Sequence, residues 1–361
     1  MKTIVTFGEV MARLGAPGYL RLRQSRSLDV TYAGGEVNVA ASLALFGAQA
    51  RLVTALPENL LGAACLDFLR AVGIDTSYVL MADYGRLGLY FVETGANQRP
   101  SNIIYDREYS AIALTPPDHY DWDAIFTDAG WLHITGITPA ISQLAADSSL
   151  EAVRQAKAAG LEVSCDLNFR KKLWKWDPTR EPRALAEETM RRILPRVDLV
   201  IANEEDCSEV LGIQAEDTDV DAGSLEIDRY PDVARKVVRD FPNVSKVAIT
   251  LRESLSASHN NWGAMLYLAE DDQPLFAPLK DGAYDPYEIK NIVDRVGGGD
   301  SFAGGLIFAL NTPDYSDPHL ALQYAVAASC LAHSVKGDFN YSQRAEVDAL
   351  MGGSASGRVV R

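Results

Sequence analysis

The chain has 361 residues, 47% hydrophobic and 23% charged, the balance of a soluble globular protein with a large core. Its 34 Lys and Arg against 49 Asp and Glu leave a formal charge of −15, which excludes a general nucleic-acid surface. Any anionic ligand must therefore be met by local cations.

Lys2 leads directly into an apolar run at 4–7 with no signal-peptide pattern. Further short apolar runs at 51–55, 131–134, 163–166, 199–202 and 247–251 read as buried strands. Between them, 36–46, 61–72, 144–159, 184–194 and 233–241 carry helical periodicity. This alternation predicts an α/β fold: a mostly parallel sheet with helices on both faces and a ligand site at the carboxyl ends of its strands. Two stretches break the pattern. Residues 10–32 are rich in Arg, Gly and Ser without a helical stripe. Residues 85–112 alternate through Leu87, Leu89 and Phe91, then Ile103 and Tyr105, with a turn-like break at 94–97. Two long loops are one reading; a small antiparallel lid of strands is the other, and the period of two favours it. The Gly- and Ser-rich stretch 352–357 reads as part of a disordered tail.

Cys65, Cys165, Cys207 and Cys330 form no Cys-x-x-Cys pair, which argues against zinc or a disulfide framework and for a reducing compartment. No apolar run is long enough to span a bilayer, so a cytoplasmic location is expected. The five histidines lack ligand spacing, and neither a Gly-x-x-x-x-Gly-Lys-Ser/Thr loop nor a Gly-x-Gly-x-x-Gly turn occurs in the expected place.

The most informative stretch is Val296-Gly297-Gly298-Gly299-Asp300-Ser301-Phe302, followed by an apolar, helix-compatible run. A glycine turn feeding a helix N-terminus presents unpaired N–H groups to an anion. Asp300 beside such a site would repel the anion. Its presence is explained if it takes a proton from a hydroxyl that then attacks a phosphoryl group. The same residues also suit an ordinary capped helix, since Asp is a favoured N-cap.

Asp294-Arg295-Val296-Gly297-Gly298-Gly299-Asp300 resembles the C-terminal signature of the ribokinase-like sugar kinases, the phosphofructokinase B family, usually Asp-Thr-x-Gly-Ala-Gly-Asp. Gly298 replaces Ala, which removes only a methyl and leaves the N–H donors. Gly34-Gly35-Glu36-Val37-Asn38-Val39-Ala40 is similar to the family's N-terminal signature. The two occur in the right order, and the resemblance covers nearly the whole chain. It implies a three-layer α/β/α kinase domain over 1–351, a β lid from about 10–33 and 85–113, and a tail over 352–361. It further implies Asp300 as the base, N–H groups of Gly297, Gly298 and Gly299 on the phosphoryl group, ATP and Mg²⁺, and a homo-oligomer formed through the lid. The sugar would lie on Gly34, Gly35 and Asn38.

Within that family, Tyr105-Asp106-Arg107 resembles the aromatic-x-Arg element of 2-keto-3-deoxygluconate kinases. Asp166-Leu167-Asn168-Phe169-Arg170 with Leu173-Trp174 resembles another of their segments. Alternation puts Tyr105 and Arg107 on one strand face, and a guanidinium can hold a carboxylate through two parallel N–H bonds. The resemblance thus implies Tyr90, Tyr105, Arg107, Arg170 and Asp338 around a sugar acid. A solvated lid face, and a structural ion pair between Arg170 and Asp166, are the plainer readings. On the nucleotide side it implies Asn168, Arg170, Asn203, Thr250, Arg252, Lys336 and Gly337. The family's Thr-x-Gly-x-x-Gly turn is altered here, with Arg252 and Leu255 at the glycine positions. Glu205 and Asp206 stand where an Asn-x-x-Glu motif tied to magnesium is usual; a charged first helical turn is the alternative. The function so implied is transfer of the ATP γ-phosphate to the primary hydroxyl of 2-keto-3-deoxygluconate, with no nucleic-acid or membrane partner. A fructokinase-like kinase and a non-catalytic sugar-binding regulator are the alternatives.

Overall fold

A computed structural model of the chain describes residues 2–203, 205–213 and 227–353; the expected tail from 354 onward lies outside the described residues. In chain order the strands are β1 (Thr3–Phe7), β2 (Met11–Gly15), β3 (Asp29–Ala33), β4 (Ala50–Pro57), β5 (Val79–Ala82), β6 (Gly88–Glu93) and β7 (Asn102–Asp106). They continue as β8 (Ala129–Thr135), β9 (Glu162–Asp166), β10 (Leu199–Ala202), β11 (Lys246–Ser256), β12 (His259–Leu268) and β13 (Gln273–Ala277).

Ten strands form the central sheet, in the order β13-β12-β11-β10-β9-β8-β1-β4-β5, with Tyr287–Lys290 also paired to β12. All six strands read from the sequence are in it. From β11 to β5 the neighbours are parallel, while β11, β12 and β13 are antiparallel. The β12–β13 hairpin escaped the sequence reading because β12 opens on His259-Asn260-Asn261, a polar run that hides the strand pattern. Successive side chains of a strand point to opposite faces. Accordingly Ile4 joins one buried apolar cluster and Val5 and Phe7 the other. The predicted helices cover those faces as Gly35–Leu45, Leu60–Ala71, Gln143–Ala158, Pro182–Ile193 and Tyr230–Asp240. The helix Gly298–Leu310 is apolar nearly all round and is buried between Gly35–Leu45 and Pro318–Ala332.

The two irregular stretches form a separate sheet, β3-β2-β6-β7. It is mixed rather than antiparallel: β2–β3 and β6–β7 are antiparallel, but β2–β6 is parallel. The chain leaves this sheet for β4 and β5 between β3 and β6, so no hairpin dictates the central pairing. Register places Arg13, Tyr90 and Tyr105 side by side on one face. Val30, Leu14, Phe91 and Ile104 make a row on the other, where Val30 and Ile104 are 56% and 54% exposed. All four cysteines are free, and among the described residues no helix is long and apolar enough to cross a membrane.

Candidate active site

The glycine turn sits at the carboxyl end of the sheet. Gly297 has φ 84°, a left-handed conformation, and a Cβ there would lie 2.3 Å from the Asp338 carbonyl oxygen, so only glycine fits. At Gly298 a Cβ would meet His333 Cε1 at 3.0 Å. The loss of the family's usual methyl is therefore not neutral, because an imidazole fills its place. His333 Nδ1 donates to the Ser329 carbonyl at 2.7 Å, and burial lowers its pKa, which keeps the ring neutral.

Asp300 lies in the first turn of the helix and is partly buried. Asn38 Nδ2 donates to its Oδ2 at 2.6 Å, and Asn38 Oδ1 accepts from the Gly34 N–H at 3.2 Å. Asn38, read as a substrate contact, is thus engaged at both ends and orients Asp300. Gly35 begins the same helix against Thr135. Desolvation raises the Asp300 pKa to about 7; the Asn38 hydrogen bond and Arg170 oppose the shift, and the charges of Asp338 and Glu36 add to it. A carboxyl that titrates near neutrality is suited to proton abstraction.

A cavity of about 460 Å³ opens beside it. Among its lining residues are Asn168, Arg170, Asn203, Glu205, Asp206, Thr250, Arg252, Gly297, Gly298, Gly299 and Asp300. Sequence-distant segments are brought together here because each lies at the end of a parallel strand or in the glycine turn that opens the helix Gly298–Leu310. Arg170 makes no ion pair with Asp166 or any other carboxylate among the described residues; it donates to the Phe169 carbonyl at 3.1 Å. Asp166 instead accepts from the Asn168 N–H at 3.1 Å, with Asn168 held at φ 36°. Thr250 does not begin a turn. β11 continues through Arg252 and Leu255 to Ser256.

Asp206 is buried, and its two oxygens accept from the Phe169 and Asn203 N–H groups at 3.0 and 3.1 Å. It ties two site loops together, while Glu205 is exposed at the rim. Asn203 Oδ1 accepts from the N–H groups of both Glu205 and Asp206. Burial raises the pKa of Asp166 strongly, and the charges of Asp206 and Asp300 add to the shift. Among the described residues no three His, Cys, Asp or Glu side chains are grouped to hold a metal. The donor set fits a Mg²⁺ that keeps its waters, since such sites need few direct protein ligands.

Toward the second sheet the picture differs from expectation. Tyr90 is buried and its hydroxyl donates to Asp338 at 2.7 Å. Arg13, which the sequence reading did not single out, forms buried ion pairs with both Asp338 and Asp294. Asp294 also accepts the N–H groups of Val296 and Gly337 at 3.2 Å, so one network joins β2, β6 and the glycine turn. Arg107 lies one residue beyond β7, with its guanidinium 5.6 Å from the Tyr105 ring centre. It is already neutralised by buried Glu9, to which its Nε donates at 2.6 Å. Lys336, expected at the nucleotide, stands outside the cavity and pairs with Asp29 at 2.5 Å. Glu9, Arg13 and Glu36 were missed because an isolated charge in an apolar strand or helix start reads as solvated. For the two glutamates the signal available was placement: Glu9 lies just past the first strand and Glu36 lies within the glycine-rich signature. Glu36 Oε1 accepts from the Thr135 N–H and from the hydroxyls of Thr135 and Thr138, fixing the floor beneath the site.

The sequence profile of the pfkB family carbohydrate kinases matches residues 1–229. A 2-dehydro-3-deoxygalactonokinase of Haloferax volcanii is 31% identical over 98% of both chains. The crystal structure of a 2-dehydro-3-deoxygluconokinase from Thermotoga maritima is 41% identical and superposes with a TM-score of 0.87 over 98% of this chain and 100% of that one. A fructokinase from Xylella fastidiosa, solved with bound ATP, shares the fold at 21% identity and a TM-score of 0.74, over 98% and 99% of the chains.

Proposed function

This chain belongs to the pfkB family of carbohydrate kinases, and from that premise we propose that it phosphorylates 2-keto-3-deoxygluconate at its primary hydroxyl, with ATP as donor and Asp300 as the base. The observation that carries the reading is Asp300 itself, a carboxyl with a pKa near 7 in the first turn of the glycine-turn helix, oriented by Asn38. In this mechanism Asp300 accepts the hydroxyl proton as the oxygen attacks the γ-phosphorus. The N–H groups of Gly297, Gly298 and Gly299 stabilise charge on the transferring group; one such donor is worth about 2.7–4 kcal/mol in acyl-transfer enzymes. Thr250, Arg252, Asn168 and Asn203 line the nucleotide end. Glu205, Asp206 and Asp166 would hold Mg²⁺ through water, and the ion would supply positive charge against the nucleotide phosphates.

The sugar end is drawn between Gly34, Asn38 and Asp300 on one side and Tyr90, Tyr105 and Asp338 on the other. Arg170, without an ion pair among the described residues, is the first cation for the substrate carboxylate; Arg107 is the second, in exchange with Glu9. The C4 epimer derived from galactonate is a second reading, favoured by the name of the Haloferax relative. The apolar row of Val30, Leu14, Phe91 and Ile104, exposed at its two ends, supports a homo-oligomer through the lid, and four free cysteines support a cytoplasmic home. A turnover screen with ATP tests the substrate class. Ketodeoxygluconate should exceed fructose and ribose in kcat/KM; a preference for fructose would replace the sugar-acid reading with a fructokinase-like one.

A further inference from the structure

We propose that Arg295, acting with Arg252, holds the phosphate chain of the nucleotide by side-chain charge, in place of a backbone turn after β11. The inference rests on the kinase reading above and goes beyond it, naming how the donor substrate is gripped.

β11 runs on past Thr250 to Ser256 as a regular strand. Its register with β12 is unbroken from Lys246↔Leu268 to Ser254↔Asn260. In such a ladder the N–H groups directed at the partner strand are already bonded, so few remain to wrap a phosphate. The charge has to be met by side chains.

Two guanidinium groups stand where that need arises. Arg252 and Arg295 line the same cavity as Gly297, Gly298 and Gly299. Arg295 immediately follows Asp294, whose carboxylate is turned away to Arg13. Arg295 Nη2 donates to Asn260 Oδ1 at 2.7 Å and to the Ser256 carbonyl at 3.4 Å, which fixes it against the β11–β12 hairpin. No carboxylate pairs with it among the described residues. Arg295 Nε, Asn260 Nδ2 and Trp262 Nε1 are buried donors without an acceptor among the described residues. Burial and the neighbouring Arg252 charge both disfavour the charged form of Arg295.

Arg295, half-buried beside the Arg252 charge and without a carboxylate partner among the described residues, raises the free energy of the empty protein. An anion bound between the two removes that penalty. Arg252 and Arg295 lie at the hairpin side of the cavity, and Arg170 lies among Asp166, Asp206 and Asp300 on the side of β9 and β10. Guanidinium forks suit phosphate oxygens through paired N–H bonds.

The test uses the full chain and inorganic tripolyphosphate as a probe that has phosphates but no base or sugar. Tripolyphosphate should raise the Tm of the parent and compete with ATP. In Arg295→Ala the Tm shift should vanish. The KM for ATP should rise roughly ten- to hundred-fold, the effect of losing a hydrogen bond to a charged group. The KM for the sugar acid should stay within a factor of a few. Arg295→Lys should recover part of the ATP affinity and Arg295→Thr little. If Arg295→Ala binds tripolyphosphate and ATP as the parent does, or if it weakens ATP and sugar acid equally, the inference is overturned. A second measurement needs no variant: the parent's KM for ATP should climb steeply between 50 and 200 mM salt, and a flat profile also overturns it. A parent that transfers no phosphate from ATP would instead sink the kinase reading.

Discussion

Replacing Asp300 by Asn keeps the shape of the side chain and its contact with Asn38 but removes both the charge and the ability to take a proton. Two consequences follow from one shifted pKa. In the folded chain the carboxyl titrates near 7 rather than its ordinary 3.8, mainly because it is desolvated. Below 3.8 it is protonated in folded and unfolded chains alike. Between 3.8 and about 7 the unfolded chain ionises first, so the parent loses stability as pH rises through that window. A shift of about 3 units corresponds to on the order of 4 kcal/mol, and the partly open position in the cavity reduces this to roughly 2 kcal/mol. Urea denaturation of parent and Asp300→Asn between pH 4 and 8.5 should therefore show the variant gaining on the parent, with the gain levelling off above pH 7. Turnover should respond the other way. The parent's rate should rise with pH through an apparent pKa near 7, and Asp300→Asn should lose about 10²- to 10⁴-fold while still binding ATP and sugar. Parallel stability curves for the two proteins, together with turnover within a factor of a few, would refute both the shifted carboxyl and its role as base.

Arg13→Ala should leave Asp294 and Asp338 buried and unpaired, at about 3–5 kcal/mol in denaturant unfolding, and Arg13→Lys should not span both carboxylates; a loss below 1 kcal/mol would contradict the network. Gly298→Ala should cut turnover by pressing on His333, and adding His333→Ala should restore much of it; simple additivity of the two in a double-mutant cycle would show that the ring is not what excludes the methyl. Arg107→Ala should weaken the sugar acid more than a neutral analogue and also destabilise the fold, because Glu9 is left buried without its partner; equal loss for both substrates would make Arg107 purely structural. Glu205→Gln should raise the Mg²⁺ concentration needed for half-maximal turnover, whereas Asp206→Asn should chiefly lower stability by loosening Phe169 and Asn203; unchanged Mg²⁺ titrations in both would assign the pair to loop structure alone.

The parallel core was legible because buried strands such as Val163–Asp166 and helices such as 144–159 carry their periodicity locally. The glycine turn and Asp300 were legible because an acid beside an anion site demands a reason. The hairpin β12–β13 was not, since its polar opening masks the alternation. The parallel β2–β6 pairing was equally hidden, because it joins segments whose register is set by the lid packing and not by a turn. Charge partners were the least legible of all. Arg107 looked available for a ligand until Glu9, 98 positions away, was placed against it, and Arg13 gave no sign that Asp294 and Asp338 converge on it. Pairing of this kind depends on three-dimensional closure that no local pattern encodes.

The central claim is tested most directly by identifying the product. The chain should be incubated with MgATP and, in parallel, 2-keto-3-deoxygluconate, its C4 epimer and fructose, with ADP release followed and the products resolved by mass spectrometry and phosphorus NMR. The expected result is a single phosphate on the primary hydroxyl of the keto-deoxy acid, formed stoichiometrically with ADP and abolished in Asp300→Asn. ADP release without a phosphorylated acid, or faster phosphorylation of fructose than of either acid, would contradict it.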